Sequence, residues 1–251
     1  MVRVSLFVTC VVDQVFPNVG MAMAEVLERA GCEVEFREAQ TCCAQPAFNS
    51  GYRDEARAVA EHFLKTFEGA EYIVVPSGSC GGMLAKHMPH LFDDDPNLRA
   101  KADQLAAKTY ELTSFLVDVM KFTPTPPPLP VTATYHDSCA GLRELGVKAQ
   151  PRALLSTVPG LTLTEMTEPE ICCGFGGTFC VKYPDISTRM VTEKAADIEA
   201  TQAELLLAGD MGCLLNMAGR LSREGAPVEV RHVAEVLAGM TRDTPAIGKP
   251  G

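Results

Sequence analysis

The chain has 251 residues, enough for one large domain or two of about 120. With 22 Lys and Arg against 32 Asp and Glu, the net charge of −10 argues against a nucleic-acid partner, and the absence of Trp with only 6% aromatics removes the stacking platforms that single strands need. A hydrophobic fraction of 47% with 22% charged residues excludes long disorder.

Ten cysteines, about 4% of the chain, are too few for a disulfide scaffold. The N-terminal segment is apolar but has no basic stretch before it and no small-residue cleavage site after it, and no run reaches the length of a membrane span. The expectation is a cytoplasmic protein without a membrane span. In that reducing compartment, clustered cysteines mean metal binding or redox chemistry before structural disulfides.

In chain order, residues 2–9 form a β-branched apolar run ending at Cys10, and the pattern over 18–30 predicts an amphipathic helix closed by Gly31. Met21 and Met23 are expected on its core stripe. A short alternating strand over 33–38 leads to the adjacent pair Cys42 and Cys43. A helix over 54–67 precedes a buried strand over 70–76, which ends near Cys80. Residues 123–130 hold five prolines in eight positions and can continue neither a helix nor a central strand. Beyond them the order recurs: a strand over 131–135 before Cys139, a strand over 161–166 before Cys172 and Cys173, a helix over 184–202, and a strand over 203–208 before Cys213. Strands alternating with helices over such loops predict an α/β fold of two similar βαβ domains, residues 1–123 and 131–251, joined by the linker 124–130. Their sheets should be mostly parallel and related by a pseudo-twofold axis.

The spacing is the sharpest signal. Cys10 and Cys42 are separated by 31 residues and Cys139 and Cys172 by 32; Cys43 and Cys80 are separated by 36, Cys173 and Cys213 by 39. Every repeated cysteine follows a predicted strand, and ligands in parallel sheets gather beyond the carboxyl ends of strands, so each set of four should converge on one rim. Four thiolates suit either a tetrahedral zinc or the corners of an iron–sulfur cluster. Cys32, outside the repeat, is expected to be a buried hydrophobe. Cys180 has no counterpart in the first half and reads equally as ligand or bystander.

These residues resemble the cysteine-rich CCG domain family, found in the B subunit of heterodisulfide reductase and in iron–sulfur subunits that oxidise glycolate and glycerol 3-phosphate. The resemblance runs from Arg3 to Leu237 and is carried by the doubled pattern and by the segments 42–51 and 172–179. It implies [4Fe–4S] clusters, one or two, held by Cys10, Cys42, Cys43 and Cys80 and by Cys139, Cys172, Cys173 and Cys213; Cys180 stays a candidate cofactor contact on its own position after the second pair. The short chain, with no ferredoxin-like segment, is most similar to the branch that serves a cytoplasmic three-protein system oxidising L-lactate to pyruvate. That implies two partners, a ferredoxin-like iron–sulfur protein and a third subunit. Zinc in a structural subunit, or thiol–disulfide chemistry as in heterodisulfide reductase, are the alternatives. Two departures bear on the site. Ser77 and Asp210 stand where the full motif has the first cysteine of Cys-x-x-Cys, which favours a four-ligand cluster per repeat over a five-thiolate one. Ala44 stands where the first Cys-Cys pair is followed by glycine.

Among weaker signals, the pair His136 and Asp137 before Cys139 reads either as an imidazole that ligates a metal or donates to a cluster sulfide, with the pair moving protons beside a redox site, or, more blandly, as a cap on the following turn. His232, at a strand-to-helix junction, reads as a cap. His62, His87 and His90 are expected in solvent, and residues 93–95 as a solvated acidic turn. No flavin or nicotinamide fingerprint is present.

Overall fold

The structure, a computed structural model, describes residues 1–242 and 244–248. Two four-stranded, all-parallel sheets organise it. The first contains β1 (Val2–Leu6), β2 (Cys32–Phe36), β3 (Tyr72–Val75) and β4 (Thr109–Glu111) in the order β2-β1-β3-β4. The second contains β5 (Thr132–Tyr135), β6 (Thr162–Leu163), β7 (Leu205–Ala208) and β8 (Glu229–His232) in the order β6-β5-β7-β8. The orders match, and so do the registers. Leu6 faces Val74 and Tyr135 faces Leu207, after which the Phe7 amide donates to the Val74 carbonyl at 3.0 Å and the His136 amide to the Leu207 carbonyl at 2.9 Å. His136 therefore occupies the place that Phe7 holds in the first half.

The expected α/β architecture of two similar parallel units is the observed one. The apolar β-branched run of β3 and the Leu-rich run of β7 are almost wholly buried, as strands covered on both faces by helices must be. The first helix runs Pro17–Arg29, with proline at its start and Gly31 at φ +84° just beyond its end. Several expectations needed correction. The first strand stops at Leu6, because residues 7–9 bend into a short helix, Cys10–Val15. Met21 is 65% exposed while Met23 is fully buried. At about 100° per residue, positions two apart lie on opposite sides of a helix, so the two cannot share a stripe. The strand over 161–166 shrinks to two residues, and Asp95 is no idle turn residue but caps helix Pro96–Ala106 through the amides of Asn97 and Leu98. His62 and His90 are exposed as expected, whereas His87 is half-buried and paired with Glu144 of the second half at 3.1 Å.

The halves share a core. Val4, Leu6, Met23 and Val26 belong to one buried cluster with Ala133, Tyr135, Val233 and Leu237. Helix Pro17–Arg29 lies against helix Val233–Ala238, and the Asn18 amide donates to Glu235 at 2.8 Å. The proline run carries no helix or strand. Among the described residues no helix is long and apolar enough to cross a membrane.

Candidate metal centres

In each sheet the order in which strands are added reverses beside the first strand, and the crevice between β1 and β3, or β5 and β7, is where an open parallel sheet receives a ligand. The cysteines flank it. Cys10 opens the helix after β1, Cys42 and Cys43 follow β2, and Cys80 lies in helix Gly78–Gly82 after β3. Cys139, Cys172, Cys173 and Cys213 repeat that arrangement around β5, β6 and β7.

Within each set the sulfurs form a chain. Cys42 accepts from the thiols of Cys10 and Cys43, and Cys43 Sγ lies 3.3 Å from Cys80 Sγ. Cys172 likewise accepts from Cys139 and Cys173, and Cys173 contacts Cys213. The thiol of Cys10, then that of Cys43, hold Cys42 as a thiolate down to about 3. Cys139 and Cys173 do the same for Cys172, to about 2. The flanking Cys10, Cys43, Cys139 and Cys173 are pushed up, first by bonding to that thiolate, next, for Cys43 and Cys173, by bonding to Cys80 and Cys213, and then by burial. The thiol held lowest in each set is thus the first of the adjacent pair, Cys42 or Cys172. The Gly174 amide, in a left-handed turn at φ +83°, donates to Cys172 Sγ at 3.4 Å, and Ala44 takes the same turn at φ +72° after Cys43. The first set is more open: Cys10 is exposed, whereas Cys173 and Cys213 are buried.

A model of the CCG cysteine-rich domain matches residues 4–85 and again 133–218. The chain belongs to the CCG cysteine-rich domain family. Its relatives include lactate utilization protein A of Bacillus cytotoxicus, 54% identical over 235 residues that cover 94% of this chain and 98% of that one. Lactate utilization protein A of an Exiguobacterium species is 52% identical, over 94% of this chain and 97% of the other. A crystal structure of a hypothetical protein from Helicobacter pylori superposes with a TM-score of 0.64 at 10% identity, covering 99% of this chain; the chain spans 49% of that longer protein, and the likeness is one of fold.

The two positions that depart from the family's cysteine pattern do other work in this CCG chain. Ser77 Oγ donates to Asp210 Oδ2 at 3.0 Å, and the Ser79 amide donates to the same oxygen at 2.9 Å. Each residue also caps the helix carrying the last cysteine of its own set: Ser77 Oγ accepts from the Cys80 amide, and Asp210 Oδ1 from the amides of Gly212 and Cys213. One buried contact therefore fixes Cys80 and Cys213 together. Nearby, helix Gly78–Gly82 crosses helix Cys139–Leu145 so closely that a Cβ on Gly78 would lie 2.7 Å from the Gly141 Cα. The segment after Cys173 also reaches the other set. Phe175, Thr178 and Val181 close a cavity of about 270 Å³ over Cys10, Cys42 and Cys80, and Thr178 bonds Ser50 at 3.2 Å.

His136 does not cap the following turn. Ser138 does, accepting from the Gly141 amide, while Asp137 is held by both terminal nitrogens of Arg152 at 2.8 and 2.9 Å. The His136 imidazole is fully buried, neither ring nitrogen has a hydrogen-bond partner among the described residues, and a ring nitrogen lies within 4.8 Å of Cys173 Sγ and Cys213 Sγ. Burial, then the charge of Lys194, pushes it down to about 4, so the ring is neutral and keeps a lone pair. His232 does cap, accepting from the Ala234 amide at Nδ1 while its Nε2 donates to the Pro76 carbonyl at 3.0 Å. The Cys180 thiol bonds the Gly177 carbonyl at 3.3 Å, and Cys32 is buried in β2. Sulfur quartets that each hold a thiolate, with an unpartnered imidazole beside one of them, are compatible with metal binding.

Proposed function

We propose that this chain is a two-site iron–sulfur electron-transfer subunit of a cytoplasmic system that oxidises L-lactate to pyruvate. The observation that carries the reading is the gathering of eight cysteines into two matched quartets, each beyond the carboxyl ends of its own sheet. Cys10, Cys42, Cys43 and Cys80 would hold one group and Cys139, Cys172, Cys173 and Cys213 the other, with the halves 1–123 and 131–251 acting as one unit across the shared core. A bound iron–sulfur group supplies one-electron transfer. The chain's own residues hold the sulfurs in place, bury Cys173 and Cys213 of the second site and, through Ser77 and Asp210, keep the two sites in fixed relation. Lactate comes from the names of the relatives and from the family resemblance. Removing two electrons and two protons from a hydroxy acid requires a partner with a paired-electron acceptor, because the sequence shows no flavin or nicotinamide fingerprint. That partner is expected among the companion subunits, a ferredoxin-like iron–sulfur protein and a third chain. The isolated protein should not reduce a dye with lactate, and activity should appear when its companions are added. Robust lactate oxidation by the isolated chain, or none with all companions present, would overturn the reading.

A further inference from the structure

Buried polar groups in folded proteins find partners, because an unpaired one costs about 1–3 kcal/mol. Around the second quartet that rule holds almost everywhere. Asp137 is bound by Arg152, Asp210 by Ser77, Ser79 and its own helix, and His232 by Pro76 and Ala234. Lys194, buried beneath the same loop, donates to the Glu168 carbonyl. The Pro169 carbonyl, which faces the His136 ring without completing a hydrogen bond to it, accepts from the Asp137 amide at 3.3 Å. Thr134 Oγ1 and Glu111 Oε1 nearby each lack a partner, but among the described residues His136 alone has two orphaned side-chain atoms, both ring nitrogens at zero exposure. Its place in the first half is filled by Phe7, which packs edge-on against Phe63 with ring centroids 5.7 Å apart. The fold therefore accepts an apolar ring at this position, and the imidazole is not a requirement of packing.

We infer that His136 directly ligates a metal ion of the group held by the second quartet, making that site a mixed nitrogen–sulfur centre while the first is sulfur only. The nitrogen and the sulfurs of Cys173 and Cys213 lie within 4.8 Å of one another, and small side-chain turns bring them to the roughly 3.3–3.8 Å that separates two donors on a tetrahedral ion with bonds of about 2.0–2.3 Å. Neutral imidazole is a ligand of iron and zinc alike, and no other group competes for its lone pairs.

This inference rests on the reading that the quartets bind metal, and the test separates the two. Wild-type protein and His136→Phe, which copies the first half, are purified anaerobically, with and without ¹⁵N-histidine labelling. Metal and sulfide are counted, and the reduced protein is studied by pulsed electron paramagnetic resonance. A histidine nitrogen coupling that responds to the label, and is absent from His136→Phe while the first site keeps its metal, is the expected result. Should that variant fail to fold, the labelled wild-type protein alone decides, since His232 has both nitrogens committed. Metal and sulfide at full complement with no nitrogen coupling, or with a coupling that persists in His136→Phe, overturns the inference and leaves the metal reading standing. Wild-type protein without metal overturns both.

Discussion

Replacing Asp210 with alanine removes the contact that fixes the two sites to each other. Its carboxylate, only 2% exposed, accepts from Ser77 Oγ and the Ser79 amide across the halves, and from the amides of Gly212 and Cys213 in its own helix. Each bond to a buried charge contributes about 1.5–3 kcal/mol and a helix cap about 1 kcal/mol. The two cross-half bonds with the cap therefore predict a loss of about 4–7 kcal/mol for Asp210→Ala. Asp210→Asn, which keeps one acceptor and the side-chain volume, should lose roughly half of that. Urea unfolding of the metal-free, reduced protein reads the loss, and metal counted before and after gel filtration reads the sites. Both sites should lose affinity, because Ser79 precedes Cys80 as Gly212 precedes Cys213. A loss below about 1 kcal/mol in Asp210→Ala, or release confined to one site, would refute the claim that this contact couples them.

Ala44 holds a left-handed turn at φ +72° that favours glycine, so Ala44→Gly should raise stability by roughly 0.5–1 kcal/mol. Gly174→Ala, at φ +83° with its Cβ 2.8 Å from the Ser187 carbonyl, should lower it, both read as shifts in urea midpoint. Because Cys10 is exposed and Cys173 and Cys213 are buried, a chelator should strip metal in two phases, with the first site leading; the slow phase should vanish in Cys173→Ser. Burial holds His232 at about 4 in the folded chain against 6.5 when exposed, so only the unfolded chain takes up a proton as pH falls between those values. Stability should decline by about 3 kcal/mol over that window from this residue, and acid titration of unfolding in His232→Gln should show a correspondingly shallower slope.

The doubled cysteine pattern was legible because spacing survives in sequence, and the buried strands β3 and β7 because a parallel sheet covered on both faces demands continuous apolar runs. β4 was not, since three residues, Thr109 to Glu111, carry no measurable period. The Ser77–Asp210 contact was equally hidden. Its partners lie 133 residues apart, and each alone looks like an ordinary polar residue before a helix. His136 could be singled out beside Cys139, but only packing shows that the capping role belongs to Ser138 and that both ring nitrogens are unpartnered. Met21 failed as a core residue on simple helical geometry, which separates it from Met23 by more than half a turn.

The most direct measurement of the central claim is the iron, zinc and acid-labile sulfide content of the anaerobically purified chain, taken with the same counts for Cys43→Ala and Cys173→Ala. Two iron–sulfur sites predict a brown protein with iron and sulfide in equal amounts, each variant losing the share of one site. A colourless protein carrying zinc without sulfide, or full iron and sulfide retained in both variants, would contradict it.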